Sequence, residues 1–276
     1  MRASRFGNVC IGIRRWCLAS NIHNVFTFIK YGSGPLVWLA FHGIGQDSRC
    51  FEPFAEKLAQ THTIYSIDLP FHGQSRFVNW PSIITSTYWQ SLVAKFTATH
   101  NIDRFSVVGF SMGGRFALVT AQAFAARIDE VLLLAPDGIT QDPWFRLGTS
   151  TKPGRAVLRF FLRHTTILLA LGHGLVRLKL LNAALLRFVE ATMQTPEQRD
   201  QIYRAWTGFR TLQSNVPAFA NTMTAHTIRV QLFLGQFDTV LPRAHTRPLL
   251  AALPTCELTV LQTGHTSLVR RVAAQL

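Results

Sequence analysis

From about residue 24 onward, short apolar runs alternate with longer stretches of mixed pattern. Leu36–Phe41, Phe105–Val108, Val131–Leu134, Val230–Leu234 and Leu258–Leu261 are such runs, each too short for a helix. Apolar residues at successive positions predict strands buried on both faces, the habit of a parallel sheet covered by helices. Thr63–Asp68 reads as a further strand, and Phe51–Gln60, Tyr88–Thr99 and Gly113–Ala126 as helices. This alternation predicts the α/β class: a mostly parallel central sheet with helices on both faces. Val25–Tyr31 alternates weakly and ends in Gly32–Ser33–Gly34–Pro35, which predicts a strand entering a hairpin.

The alternation stops between Asp137 and His226, where the pattern is helical with no clear strand. The expected organisation is an α/β core over 22–136 and 227–276, a helical cap or lid inserted over 137–226, and a basic leader over 1–21. From Arg146 to Arg187 the insertion carries eight bases and no acid. Arg155, Arg159 and Arg163 recur every four residues and form one stripe on a helix, away from Leu158, Phe161 and Leu162. The plain reading is an amphipathic helix with a solvated basic face. The functional readings are attraction of an anionic substrate and peripheral docking on an anionic membrane. Further apolar residues (Leu168, Leu186, Phe188) predict either a core of the insertion or a surface for an apolar substrate.

A length of 276 residues leaves room for one large α/β domain with such an insertion. The formal net charge of +14 raises the question of nucleic acid, but the bases are spread and no nucleic-acid module is recognisable, so none is expected. Cys10, Cys17, Cys50 and Cys256 form no C-x-x-C pair, which predicts incidental reduced thiols in the cytoplasm. Ahead of Asp47 there is no acidic residue, yet Arg14 and Arg15 interrupt what would be the apolar region of a secretory signal. Residues 1–21 read as a disordered or poorly specified leader, with an organelle presequence as the other reading. No run reaches the roughly 20 apolar residues a spanning helix needs.

Gly109–Phe110–Ser111–Met112–Gly113 adds chemistry to this frame. It fits G-x-S-x-G, a serine at the apex of a tight strand-to-helix turn. The residues two before and two after the serine crowd together there, so neither tolerates a bulky side chain. The helix N-terminus that follows points free N–H groups at any negative charge formed on the serine's partner. A serine needs a base and an orienting acid to act as a nucleophile. His265 follows the last apolar run and Asp238 follows the one before it, so both belong at the carboxyl edge of the sheet with Ser111. Asp137, after an earlier strand, is a competing acid. His42 lacks a second ligand at metal-binding spacing.

With these residues in place the sequence resembles the α/β-hydrolase superfamily, from about residue 24 to the C-terminus. The resemblance rests on Phe41–His42–Gly43–Ile44–Gly45, on Asp68–Leu69–Pro70–Phe71–His72–Gly73–Gln74–Ser75, on the Ser111 turn, and on Asp238 with His265. It implies a Ser111–His265–Asp238 triad and an oxyanion hole formed by the main-chain N–H groups of Ile44 and Met112. It implies a structural role for Asp68 and for His42, and a cap domain. The Asp68 loop departs from the family's D-x-x-G-x-G-x-S pattern by placing Phe71 at the first glycine. The serine disfavours the dehalogenase and epoxide-hydrolase branches, which use an aspartate. The implied activity is hydrolysis of carboxylic esters of a small, partly apolar acyl substrate, with no cofactor or metal. C–C bond hydrolases share the triad but usually carry Asn where Phe110 stands, and thioesterase or acyltransferase chemistry would use the same residues. A non-catalytic binding or peripheral membrane module is the alternative of another class. The short tail after His265 predicts a last helix less well packed than usual.

Overall fold

The computed structural model describes residues 25–140 and 143–276; the leader expected over 1–21, with Cys10 and Cys17, lies outside the described residues. Seven strands form one sheet: β1 Phe28–Tyr31, β2 Leu36–Phe41, β3 His62–Ile67, β4 Phe105–Phe110, β5 Ile128–Leu134, β6 Arg229–Gly235 and β7 Glu257–Leu261. Their spatial order is β1-β3-β2-β4-β5-β6-β7, with every pairing parallel except β1 with β3. β4 is buried at every position and β2, β5 and β6 over most of their length, as expected of strands covered on both faces. β5 and β6 begin earlier than their apolar runs: Asp129 and Glu130 separate buried Ile128 from the run of β5, and β6 opens on exposed Arg229, which pairs with Glu257 across the edge at 2.7 Å.

The expected hairpin between the first two strands does not form. β3 lies between β1 and β2, and the Gly32–Pro35 turn hydrogen-bonds to the chain entering β3: the Ser33, Gly34 and Leu36 N–H groups donate to the carbonyls of Ala59, His62 and Thr61. A Cβ on Gly34 would lie 2.0 Å from the Thr61 carbonyl carbon. The glycines therefore serve a close backbone approach across the sheet, which a local turn pattern cannot distinguish from a hairpin.

Helices α1 Glu52–Leu58, α2 Ser86–Thr99, α3 Met112–Ala123, α4 Pro143–Ser150, α5 Lys152–Arg163, α6 Thr165–Arg177, α7 Ala183–Thr192, α8 Pro196–Gly208, α9 Val216–Ala225, α10 Arg247–Ala252 and α11 Leu268–Ala273 complete the order. α2 is set off by the Thr85 side chain, which accepts from the Tyr88 N–H. Its Trp89 is fully buried against Phe116 of α3, ring centroids 4.7 Å apart, and donates its indole N–H to Thr120. This fills the space between α2, α3 and the sheet at the strand that carries Ser111.

Packing divides the segment expected as a single insertion over 137–226. Phe209, Leu212, Phe219 and Met223 belong to the main core, so α9 covers the sheet as the crossover between β5 and β6. A second small core of Leu162, Met193 and Ile202 holds α5, α7 and α8 together, and the Ile44 side chain packs against it. The last helix is well packed, contrary to the expectation drawn from its shortness: Leu268, Val269, Val272 and Ala273 are all buried.

Candidate active site

The strand order reverses between β2 and β4: the chain winds outward from β2 to β3, then returns to the other side of β2. Such a switch point opens a crevice at the carboxyl ends of the strands. The register pairs Phe41 with Gly109, so the turn at Gly43 comes level with Ser111. Ser111 sits between β4 and α3 at φ 52°, ψ −121°, a conformation that strains any residue with a Cβ. The glycines around it meet the crowding that the sequence implied. A Cβ on Gly109 would lie 2.7 Å from the Gly113 carbonyl oxygen, and one on Gly113 would lie 1.9 Å from that of Phe41. The turn is held by the Ser111 N–H donating to Leu134 and the Ser111 carbonyl accepting from Gly114 and Asp137.

Three side chains from three strand ends meet here. His265 Nε2 lies 3.0 Å from Ser111 Oγ, and His265 Nδ1 lies 2.6 Å from Asp238 Oδ2. A carboxylate facing Nδ1 fixes the tautomer, so Nδ1–H donates and Nε2 accepts from the hydroxyl. The other Asp238 oxygen accepts the N–H groups of Val240 and Leu241, both at 2.9 Å. All three residues are buried. Asp137, the competing acid, is engaged elsewhere. Its Oδ2 accepts from Nε and Nη2 of buried Arg115, at 3.0 and 2.7 Å, and its Oδ1 accepts the Gly138 N–H. Arg115 also donates to the carbonyls of Phe209 and Leu212, so this pair ties α3 to the chain leading into α9.

The turn after β2 is braced from below. His42 is fully buried; Nδ1–H donates to the Gly43 carbonyl at 2.8 Å and Nε2 accepts the Leu69 N–H at 3.0 Å. That arrangement requires the neutral ring, and burial pushes its pKa down, outweighing the nearby carboxylates of Asp68 and Asp47. Gln46 Oε1 accepts the Gly43 N–H at 3.0 Å and the Cys50 thiol at 3.3 Å. Among the described residues no hydrogen bond reaches the main-chain N–H of Ile44 or of Met112, the first residue of α3. Asp68 does no work at Ser111: its carboxylate accepts the N–H groups of Ser48 and Gln74 at 2.7 and 2.9 Å. A Cβ on Gly73 would lie 2.4 Å from that carboxylate.

Two features could not be found by motif. Phe188 of α7 makes a T-shaped contact with the His265 ring, centroids 5.8 Å apart, and the Phe110 ring lies 5.0 Å from it, tilted. The helical segment thus covers the serine, which is only 5 % exposed. Phe71, the departure from the family pattern, keeps the left-handed backbone at φ 70° that a glycine would adopt freely. Its ring stacks on Phe209 at 5.6 Å and lies under the Arg204 guanidinium at 4.5 Å, docking the Asp68 loop against α8. No group of three or more metal-ligating side chains occurs among the described residues.

Comparison with known proteins agrees with this architecture. The family model described as alpha/beta hydrolase fold matches residues 39–270. An uncharacterized protein of Mycobacterium tuberculosis is 26% identical over 244 residues, covering 85% of this chain and 71% of its own. The pimeloyl-[acyl-carrier protein] methyl ester esterase of Legionella pneumophila is 32% identical over 117 residues, 42% of each chain. Among solved structures, a thermophilic esterase from Thermogutta terrifontis superposes with a TM-score of 0.67 at 18% identity, covering 91% of this chain and 90% of that one. With the strand order, the serine turn and a family match over most of its length, this chain belongs to the alpha/beta hydrolase fold family.

Proposed function

We propose that the protein is a serine hydrolase that cleaves carboxylic esters, or related acyl bonds, of a small and partly apolar substrate. The observation that carries this reading is the unbroken contact from Asp238 through His265 to the Ser111 hydroxyl, 2.6 and 3.0 Å, on a strained turn. Ser111 Oγ attacks the carbonyl carbon while His265 Nε2 takes its proton. Asp238 remains ionised, holds the ring and stabilises the imidazolium. The N–H groups of Ile44 and Met112 bind the developing oxyanion, at about 3 kcal/mol per donor. His265 then protonates the departing alkoxide, leaving an acyl-Ser111. Water, deprotonated by His265, releases the acid and restores the serine. These steps use only this chain's own groups. Phe110 and Phe188 beside the histidine favour an apolar portion in the substrate. The partial similarity to a methyl ester esterase supports an ester as one of the acyl bonds this site would cleave.

The test is stoichiometric reaction with a serine-directed fluorophosphonate, with the adduct mapped by mass spectrometry. One adduct on Ser111, slowed about a thousandfold or more in His265→Ala, is expected. A folded protein that takes no label, and turns over none of a panel of esters of graded acyl length, thioesters and vinylogous C–C substrates, would remove the hydrolase reading. Turnover of the C–C substrates alone would replace the ester by that bond.

A further inference from the structure

We propose that α6 and the turn after it dock on the surface of an anionic lipid bilayer. One face of α6 is already satisfied: Leu168 packs on the small core, and a Cβ on Gly172 would lie 2.6 Å from Leu186 of α7. The flank beside it is also apolar. Ile167, Leu171, Leu175 and Leu178 follow helical spacing on that side and are 45, 54, 42 and 69% exposed, and Leu180 in the following turn is 73% exposed. An apolar row left bare beside a packed face is out of place against water.

Charge identifies the occupant. Between Arg146 and Arg187 there are eight bases and no acid, and all of these bases but Arg155 are exposed. Arg163 precedes α6, Arg177 ends it and Lys179 follows it, the last two alternating with Leu178 and Leu180, and none of the three has an ion pair among the described residues. Of the acids nearby, Glu190 pairs with His173 of α6 at 2.9 Å, and Asp200 lies in the groove between α5 and α8 that Arg159 and Arg163 also line. The arginine stripe of α5 thus turns partly toward α8, and the exposed apolar row belongs to the next helix. Leucines flanked by bases suit the boundary between acyl chains and anionic headgroups, where long cationic side chains reach back to phosphate. A second copy of this chain suits the face less well, since a two-fold contact would set the same bases against each other. With 13 residues, α6 is about 20 Å long, too short to cross a core of roughly 30 Å, so it lies along the surface. Because α6 seats on α7, which carries Phe188 over His265, docking brings the cover of the serine to the lipid. The lipid contact itself does not depend on the hydrolase reading.

The experiment is flotation of the full chain with vesicles of phosphatidylcholine alone and of phosphatidylcholine mixed with phosphatidylglycerol. Partition onto the mixed vesicles, and not the neutral ones, is expected, and Ser111→Ala should bind equally. Leu171→Glu with Leu175→Glu should reduce partition at least about tenfold, and Arg177→Ala with Lys179→Ala about fivefold per base removed. Unchanged circular dichroism would show that these variants fold. Four results overturn the proposal: no partition onto anionic vesicles; partition indifferent to the leucine substitutions; loss confined to Arg14→Ala with Arg15→Ala in the leader; or a dimer in solution that the leucine substitutions dissociate.

Discussion

Asp137 and Asp238 follow neighbouring strands and look alike in a sequence, yet they serve different ends. Asp238 gives one oxygen to His265 and the other to two main-chain N–H groups, whereas Asp137 neutralises the buried Arg115. Asp238→Asn should therefore leave stability nearly intact while lowering the rate of Ser111 labelling about a thousandfold, because the ring loses its tautomer and orientation. Asp137→Ala should do the reverse. Stranding the Arg115 guanidinium should cost about 3 kcal/mol in urea unfolding, with labelling of the folded fraction changed by less than about tenfold. Phe71 tests the price of strain. Phe71→Gly relaxes a left-handed residue but deletes the contacts to Phe209 and Arg204, so the net effect should be a loss of about 2 kcal/mol, read as a lower urea midpoint. Cys50 is no rival nucleophile, since burial pushes its thiol up to about 12.

Between β4 and α3 the constraint is backbone against backbone. Gly113→Ala would drive a methyl into the Phe41 carbonyl at 1.9 Å, and α3 would have to leave β2. That variant should lose roughly 3 kcal/mol or more and lose fluorophosphonate labelling with it, whereas Gly174→Ala, with nothing within 4 Å of the added methyl, should be neutral or slightly stabilising. The same comparison explains which elements were legible in the chain. β2, β4 and β5 lie inside the sheet, so their apolar runs announce them. α10 has no comparable signal: it is six residues long, with Leu249 as its buried residue. α9 was readable as a helix, but its place on the sheet, away from the segment over the serine, follows from contacts of Phe219 and Met223 that no periodicity encodes.

For the molecule as a whole, two buried histidines under the site set an acid limit. Burial pushes His72 down to about 3 and lowers His42 as well. The unfolded chain, with histidines near 6.5, therefore binds more protons than the native one below that pH, and stability falls as pH drops. His72 alone should cost about 2 kcal/mol by pH 5. Urea midpoints at pH 7.5 and 5 should show the loss, and His72→Phe, which also removes a buried Nε2 with no partner among the described residues, should flatten it.

The sequence by itself determined the class of fold and pointed to the residues proposed to carry the chemistry. Covered strands must be apolar throughout, and a serine in a turn this tight must have glycines at fixed distances, so both are written locally. It also named the histidine and two candidate acids. Tertiary structure decided the rest: that Asp238 faces His265 while Asp137 faces Arg115, that the Gly32–Pro35 turn serves β3, that Phe188 covers the histidine, and that α6 keeps an apolar face bare. Each of these depends on which surfaces meet across tens to hundreds of residues, and local pattern carries no record of that.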